Sequence, residues 1–195
     1  MNLTAWNFRA IMLYVMARKS RTKSMALCAL FIALMAVGSF IRIPAPIVPI
    51  TLQAQIALLA GVCLGGTWGC ISIVLYMLLG LIGAPIFAGG GGVSYVFQAS
   101  FGYLLGFAVS AFVSGTIARR GVITRKKIAL ALSVGLLITY VIGTAYAALI
   151  LTVYLKQNIV MTEFLAGFVL MTLPKDVLLT ALSVPLAKRM ISYTV

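Results

Sequence analysis

The chain has no histidine and only two acidic residues, Glu163 and Asp176, among 195 residues. The usual side chains for general acid–base or metal chemistry are therefore scarce. Its three cysteines, Cys28, Cys63 and Cys70, lie inside apolar runs without zinc-ligand spacing. The phosphate-binding pattern GxxxxGK[ST] is also missing, so we do not expect the chain itself to hydrolyse ATP. These absences predict a protein that is not an enzyme and has no metal or cofactor.

Charged residues are also few, at 9%, whereas 63% of residues are hydrophobic. The mean hydropathy is +1.17, and soluble domains are only about 45–50% apolar. Since one span takes about 20 residues, the chain has room for six spans and short connections. We expect an all-α, polytopic membrane protein with six transmembrane helices and no separate catalytic domain.

Negative charge is scarce beside 15 Lys and Arg residues, which give a net charge of +13. The basic clusters precede the first predicted span, follow the fourth and follow the sixth. By the positive-inside rule we expect both termini to be cytoplasmic, and we expect the protein to lie in the cell (plasma or inner) membrane. We expect contact with anionic lipid and no nucleic acid partner. Residues 1–23 are predicted to be a cytoplasmic or interfacial segment, and 24–195 the six-helix domain.

Three irregular segments should meet at the outer face of this topology. The predicted spans cover about residues 24–41, 53–66, 68–82, 99–118, 128–154 and 174–191, with a short separate helix over 163–171. The outer segments are then the proline-rich residues 44–49, the glycine-rich loop of residues 83–98, and residues 163–176. A substrate arriving from outside would encounter all three.

The glycine-rich loop contains four consecutive glycines, which disfavour an ordinary helix. It is either a flexible loop outside the membrane or the wall of a small-molecule site, where backbone at Gly90 and Gly91 could approach a ligand. Tyr95, Gln98 and Tyr103 follow at once and supply polar tips, which makes them candidates for ligand binding.

Further candidate residues lie at the predicted ends of spans. Thr51 and Gln53 open the second span, where the glutamine either caps the helix or faces a ligand, and Tyr76 either packs or presents its hydroxyl. Asp176 either caps the last helix or accepts ligand N–H groups. A carboxylate deeper in the membrane would cost about 2.5–3.5 kcal/mol and should have a partner. Lys175 is a second candidate, although neighbouring residues on a helix point in different directions.

Small residues recur at helical spacing in two spans. Small side chains let membrane helices approach closely, which is how such helices associate. In the first span they predict a contact with a partner helix through Ala26, Ala29 and Ala33. In the fourth span they predict a seam between helices through Gly102, Gly106, Ser110 and Ser114.

Four segments together resemble the BioY family, the biotin-specific substrate-binding (S) subunits of energy-coupling-factor (ECF) transporters. They are Ile50-Thr51-Leu52-Gln53, the run from Gly80 to Gly90, the run from Ser100 to Phe107, and Leu173-Pro174-Lys175-Asp176. The resemblance extends from about residue 24 to 189.

The resemblance implies a biotin site near the outer face, with Gln53 and Asp176 as ligand contacts. It also implies that the first helix contacts a transmembrane coupling subunit, which binds two ATPase subunits. Many relatives have an arginine where this chain has Gly91 and a lysine where it has Leu179. Two alternatives therefore remain: an S subunit for another small vitamin or a biotin precursor, and a structural membrane subunit that binds no small molecule.

Overall fold

The computed structural model describes residues 3–43, 48–154, 156 and 161–194, with side chains from residue 21 onward except those of 161–171 and 192–194. Six α-helices account for most of this part of the chain. They are α1 (Leu3–Phe40), α2 (Gln53–Leu64), α3 (Gly66–Leu81), α4 (Phe101–Arg119), α5 (Arg125–Leu149) and α6 (Met161–Thr194). The all-α prediction holds except for one two-stranded ladder, in which β1 (Arg42–Ile43) pairs antiparallel with β2 (Ile50–Thr51). The proline-rich residues 44–47 lie outside the description.

Helix α4 is the centre of the bundle and contacts α2, α3 and α5. Its small residues form the predicted seam between helices, and the structure shows that α5 is the partner. A Cβ placed on Gly102 would lie 2.3 Å from the Cβ of Tyr146, and one on Gly106 would lie 3.1 Å from the Cα of Thr139. The two helices can approach this closely only because side chains are missing at these positions.

Helix α6 corrects one prediction. The sequence predicted a separate short helix over 163–171 and a last span that begins at Pro174, but α6 continues through Pro174 and Pro185. Proline has a helical φ and removes only one N–H, and membrane helices tolerate it where neighbouring groups provide other partners. Helix α1 is likewise continuous across residue 23, so the membrane boundary drawn there stays a prediction.

The outer surface of the bundle is apolar, as a membrane protein requires. Leu137, Val141 and Leu178 are 64%, 58% and 63% exposed. Within the described residues, three stretches are long and apolar enough to cross a membrane: Arg21–Phe40, Phe101–Arg119 and Arg125–Tyr154. Helices α2 and α3 are apolar but shorter, with 12 and 16 residues. The number of six spans therefore stays a prediction.

The glycine-rich loop is packed against α3 rather than extended into solvent. The N–H of Gly92 donates to the carbonyl of Gly80 at 2.7 Å. The ring of Phe87 lies between those of Tyr76 and Tyr95, with centroid distances of 5.5 and 4.6 Å. Of the two alternatives for this loop, the packing favours the wall of a site.

Candidate functional site

A small cavity of about 50 Å³ lies where β2 and the glycine-rich loop meet helices α2, α4, α5 and α6. Its lining is partly apolar and aromatic and partly polar. The apolar residues include Val48, Ala88, Leu104 and Phe107, and the polar residues include Thr51, Gln53, Thr139, Tyr140, Thr172, Lys175 and Asp176. The cavity can therefore accept a small molecule that has both an apolar body and polar groups.

The structure brings six of the predicted ligand-binding residues together around this cavity. They are Thr51, Gln53, Tyr95, Tyr103, Lys175 and Asp176. Of the others, Tyr76 is completely buried behind Gln53. Gly90 is paired with Phe87 in the loop, Gly91 lies against Ala84, and Gln98 is exposed. The ligand contacts of all ten residues stay predictions.

Asp176 is 5% exposed, and its two carboxylate oxygens have different neighbours. The hydroxyl of Tyr140 donates to Oδ2 at 2.7 Å. Oδ1 lies 2.7 Å from Nζ of Lys175, but it accepts no hydrogen bond from the described residues. One oxygen is thus fixed by α5, whereas the other can still accept a hydrogen bond from a ligand.

Lys175 reaches its sequence neighbour despite the expectation that the two side chains diverge. Its flexible four-carbon stem bends the ammonium group back to Asp176. The same nitrogen donates to the carbonyl of Thr51 at 2.8 Å. Lys175 therefore links α6 to β2, and its side chain is 28% exposed at the cavity.

Gln53 is held in place by hydrogen bonds to Tyr76 and Thr51. Its Nε2 donates to the hydroxyl of Tyr76 at 2.7 Å, and Tyr76 in turn donates to the carbonyl of Ile86 at 2.6 Å. The hydroxyl of Thr51 donates to Oε1 of Gln53 at 3.2 Å. Tyr76 thus positions Gln53 and ties the site to the glycine-rich loop.

Tyr95 contributes an aromatic wall from the glycine-rich loop. Its hydroxyl accepts a hydrogen bond from Ser100 at 3.0 Å. Burial raises the pKa of Tyr95 above its ordinary value, so the phenol is neutral at physiological pH. A neutral ring of this kind can pack against an apolar ligand.

The sequence reasoning missed the polar residues that α5 brings to the cavity. The hydroxyl of Tyr140 lies 2.8 Å from Oγ1 of Thr172 as well as near Asp176. Thr139 is 2% exposed, and its Oγ1 has no hydrogen-bond partner among the described residues. Two adjacent polar residues in the middle of an apolar helix were the available signal, because polar groups inside membranes usually face the bundle interior.

A second, larger groove of about 580 Å³ lies between α5 and α6. Its surface is mostly apolar and includes Leu137 and Val177, which are 64% and 53% exposed. Tyr140 borders both spaces and separates the polar cavity from this groove. Within the described part of the chain, no group of three His, Cys, Asp or Glu residues could hold a metal ion.

Helix α1 has one buried and one exposed face. The larger residues Cys28, Phe31 and Met35 pack into the bundle, whereas the predicted partner-helix contacts Ala26, Ala29 and Ala33 are exposed. We call these three alanines the small-residue face. Described residues of this chain do not bury it, so it is accessible to another helix.

Comparison with known proteins agrees with this architecture. Residues 14–194 match the family model described as the BioY family. The chain is 42% identical to the "Probable biotin transporter BioY" of Lysinibacillus sphaericus, over 90% of each chain. It is 37% identical to the protein of the same name from Pyrococcus horikoshii, over 66% of this chain and 76% of that one.

A solved structure also has the same fold. It is the crystal structure of the S-component for biotin from an ECF-type ABC transporter. The superposition has a TM-score of 0.77 and covers 88% of this chain and 92% of that chain, at 23% sequence identity. At this level of identity the similarity concerns the fold alone.

Proposed function

The chain belongs to the BioY family, and we propose that it is the biotin-binding S subunit of an ECF-type vitamin uptake transporter. Such a subunit binds and transports a ligand and is not an enzyme. One observation in the structure supports this function most directly. It is Asp176, which lines a small cavity and whose buried Oδ1 is ion-paired with Lys175 but accepts no hydrogen bond from the described residues.

The groups around the cavity complement the chemistry of biotin. The ureido ring has two N–H donors and one carbonyl acceptor, and the thiophane ring and valeryl chain are apolar. The carboxylate of Asp176 can accept an N–H, while the amide of Gln53 can both donate and accept. The rings of Tyr95 and Tyr103 offer aromatic surface for the bicyclic system, and the ammonium of Lys175 can pair with the ligand carboxylate once it moves away from Asp176.

Binding requires this cavity to widen. Its volume of about 50 Å³ is well below the roughly 300–1,000 Å³ of typical ligand sites. Lys175 is partly exposed at the cavity and the glycine-rich loop supplies one wall. We propose that these parts move to admit biotin and then close over it.

The charge distribution supports a proposal for the membrane topology. We propose six spans with both termini in the cytoplasm, because the clustered cations at 18–23, 119–127 and 188–189 would then share the cytoplasmic side. The cavity would lie toward the opposite face of the cell membrane. Biotin would enter from outside and be released inward.

Transport also requires a source of energy that this chain does not supply by itself. We propose that the small-residue face on α1 contacts the transmembrane coupling subunit of an ECF-type transporter, which carries two ATPase subunits. The exposure of this face supports the proposal, since close approach of membrane helices depends on small side chains.

Equilibrium binding of labelled biotin to the purified, detergent-solubilised chain tests the proposed function. We expect saturable nanomolar binding, weakened at least tenfold, or about 1.4 kcal/mol, by Asp176→Asn. Glu163→Gln, which neutralises the other acidic side chain, should leave the affinity unchanged. Absence of biotin binding by the folded parent chain contradicts the proposal.

Competition by unlabelled compounds tests the alternative ligands. If biotin is the ligand, other vitamins should not displace labelled biotin at concentrations at which unlabelled biotin displaces it completely. Displacement by another vitamin or by a biotin precursor at a lower concentration than biotin would assign the site to that compound.

A further inference from the structure

Thr139 differs from the other described threonines on α4 and α5. Threonine in a membrane helix usually donates to the carbonyl four residues earlier. Thr116, Thr144 and Thr152 (in the turn that follows α5) all do so, at 2.7, 2.5 and 2.7 Å. Thr139 does not, and its Oγ1 is buried without a partner in the described part of the chain. A buried hydroxyl without a hydrogen-bond partner is energetically unfavourable, so this exception needs an explanation.

The position of Thr139 is fixed by tight packing. Gly106 of α4 leaves just enough room for the α5 backbone, because a Cβ on this glycine would lie 3.1 Å from both Cα and O of Thr139. The side chain lines the same cavity as Asp176. The backbone therefore holds a buried hydroxyl at the ligand cavity.

Several other donors near the cavity already have acceptors. The hydroxyl of Tyr140 donates to Asp176, and that of Tyr76 donates to the carbonyl of Ile86. The ammonium of Lys175 contacts the Thr51 carbonyl and Asp176. The O–H of Thr139 has no such acceptor among the described residues, so a ligand can use it without breaking an existing bond.

A ureido group needs both a donor and an acceptor from its site. An ionised carboxylate only accepts, so Asp176 can bind an N–H but not the ureido oxygen. We propose that the Thr139 hydroxyl donates to the ureido carbonyl oxygen while Oδ1 of Asp176 accepts from an N–H of the same group. This assignment rests on the proposed function and adds α5 to the recognition of the ligand.

Isosteric replacement of Thr139 separates a ligand contact from a structural role. Thr139→Val should weaken biotin binding about tenfold without lowering the melting temperature of the ligand-free protein, because it removes a buried hydroxyl that has no partner. Thr139→Ser, which keeps the hydroxyl, should bind more tightly than Thr139→Val. The control Thr144→Val removes a hydroxyl that bonds within α5 and should leave affinity unchanged.

A modified ligand identifies the atom that Thr139 contacts. In 2-thiobiotin a sulfur, which is a weaker acceptor, replaces the ureido oxygen. The parent chain should prefer biotin to 2-thiobiotin, and Thr139→Val should reduce that preference. Unchanged biotin affinity in Thr139→Val, or an undiminished preference for biotin, overturns the assignment even when the parent binds biotin. Failure of the parent to bind biotin instead contradicts the proposed function.

Discussion

At the scale of single residues, the hydroxyl of Tyr140 sets the orientation of the acidic group. It lies between Oγ1 of Thr172 and Oδ2 of Asp176, both on α6, at 2.8 and 2.7 Å. Because Asp176 accepts only, the tyrosine must be the donor in that bond. This contact occupies Oδ2 and leaves Oδ1, which no described residue hydrogen-bonds, as the oxygen that the proposed function requires.

Removal of this donor should therefore weaken binding. A hydrogen bond to a charged group contributes about 1.5–3 kcal/mol, so Tyr140→Phe is expected to reduce biotin affinity about tenfold or more, as measured by equilibrium binding. Tyr154→Phe removes a hydroxyl from a residue that is 56% exposed and should have no effect. Equal affinities for both variants and the parent would contradict the role of Tyr140.

The cavity-lining residues that could be predicted from the sequence are those near the ends of predicted spans. Gln53, Lys175 and Asp176 are conspicuous there because polar groups interrupt or flank apolar runs. Thr139 and Tyr140 could not be assigned in the same way. They lie in the middle of α5, and only the packing against α4 and α6 shows which face of the helix meets the cavity.

The absence of a side chain at Gly91 has a local structural reason. A Cβ at this position would lie 2.2 Å from the carbonyl oxygen of Ala84 and 3.1 Å from that of Gly80. The backbone of the glycine-rich loop therefore has no space for an arginine here. The run of four glycines in the sequence predicted that the loop backbone approaches another group closely. It did not indicate that α3 would be one of the neighbours.

At the scale of secondary-structure elements, α1 has one face buried in the bundle and one exposed face, for which we propose a partner helix. Ala29→Leu should abolish biotin uptake by cells that contain the complete transporter, because a larger side chain separates the helices. Biotin binding by the purified variant should be retained, because Ala29 is exposed and distant in sequence from the cavity residues.

A matched change on another exposed position of α1 provides the control. Leu34 is 39% exposed and directly follows Ala33, so its side chain points away from the small-residue face, and Leu34→Phe should preserve both uptake and binding. Normal uptake by Ala29→Leu would contradict the proposed partner contact. Loss of binding by Ala29→Leu would show instead that this residue supports the fold.

Helix contacts and helix boundaries were predictable where the sequence signals agreed, and they were not predictable where these signals conflicted. The small residues of α4 predicted a seam between helices, because four-residue spacing places them on one face, but they did not indicate that α5 would be the partner. Pro174 gave a conflicting signal, since proline can begin a helix or lie within one when neighbours compensate for its missing N–H. The local sequence around Pro174 does not distinguish these cases.

At the scale of the whole molecule, composition determined the class of protein before any motif was considered. A hydrophobic content of 63% with 9% charged residues leaves too few polar groups to cover a soluble surface. The exposed leucines and valines of the bundle agree with a multi-pass membrane protein. Composition could not indicate that a polar cavity lies close to a larger apolar groove, since that depends on how α5 and α6 pack.

The central claim is that biotin binds in the cavity beside Asp176, and a structure of the biotin-bound protein tests it most directly. In that structure the ureido ring should lie within hydrogen-bond distance of Oδ1 of Asp176, in a cavity wider than about 50 Å³. Biotin located in the groove between α5 and α6, or elsewhere with the cavity unchanged, would contradict it.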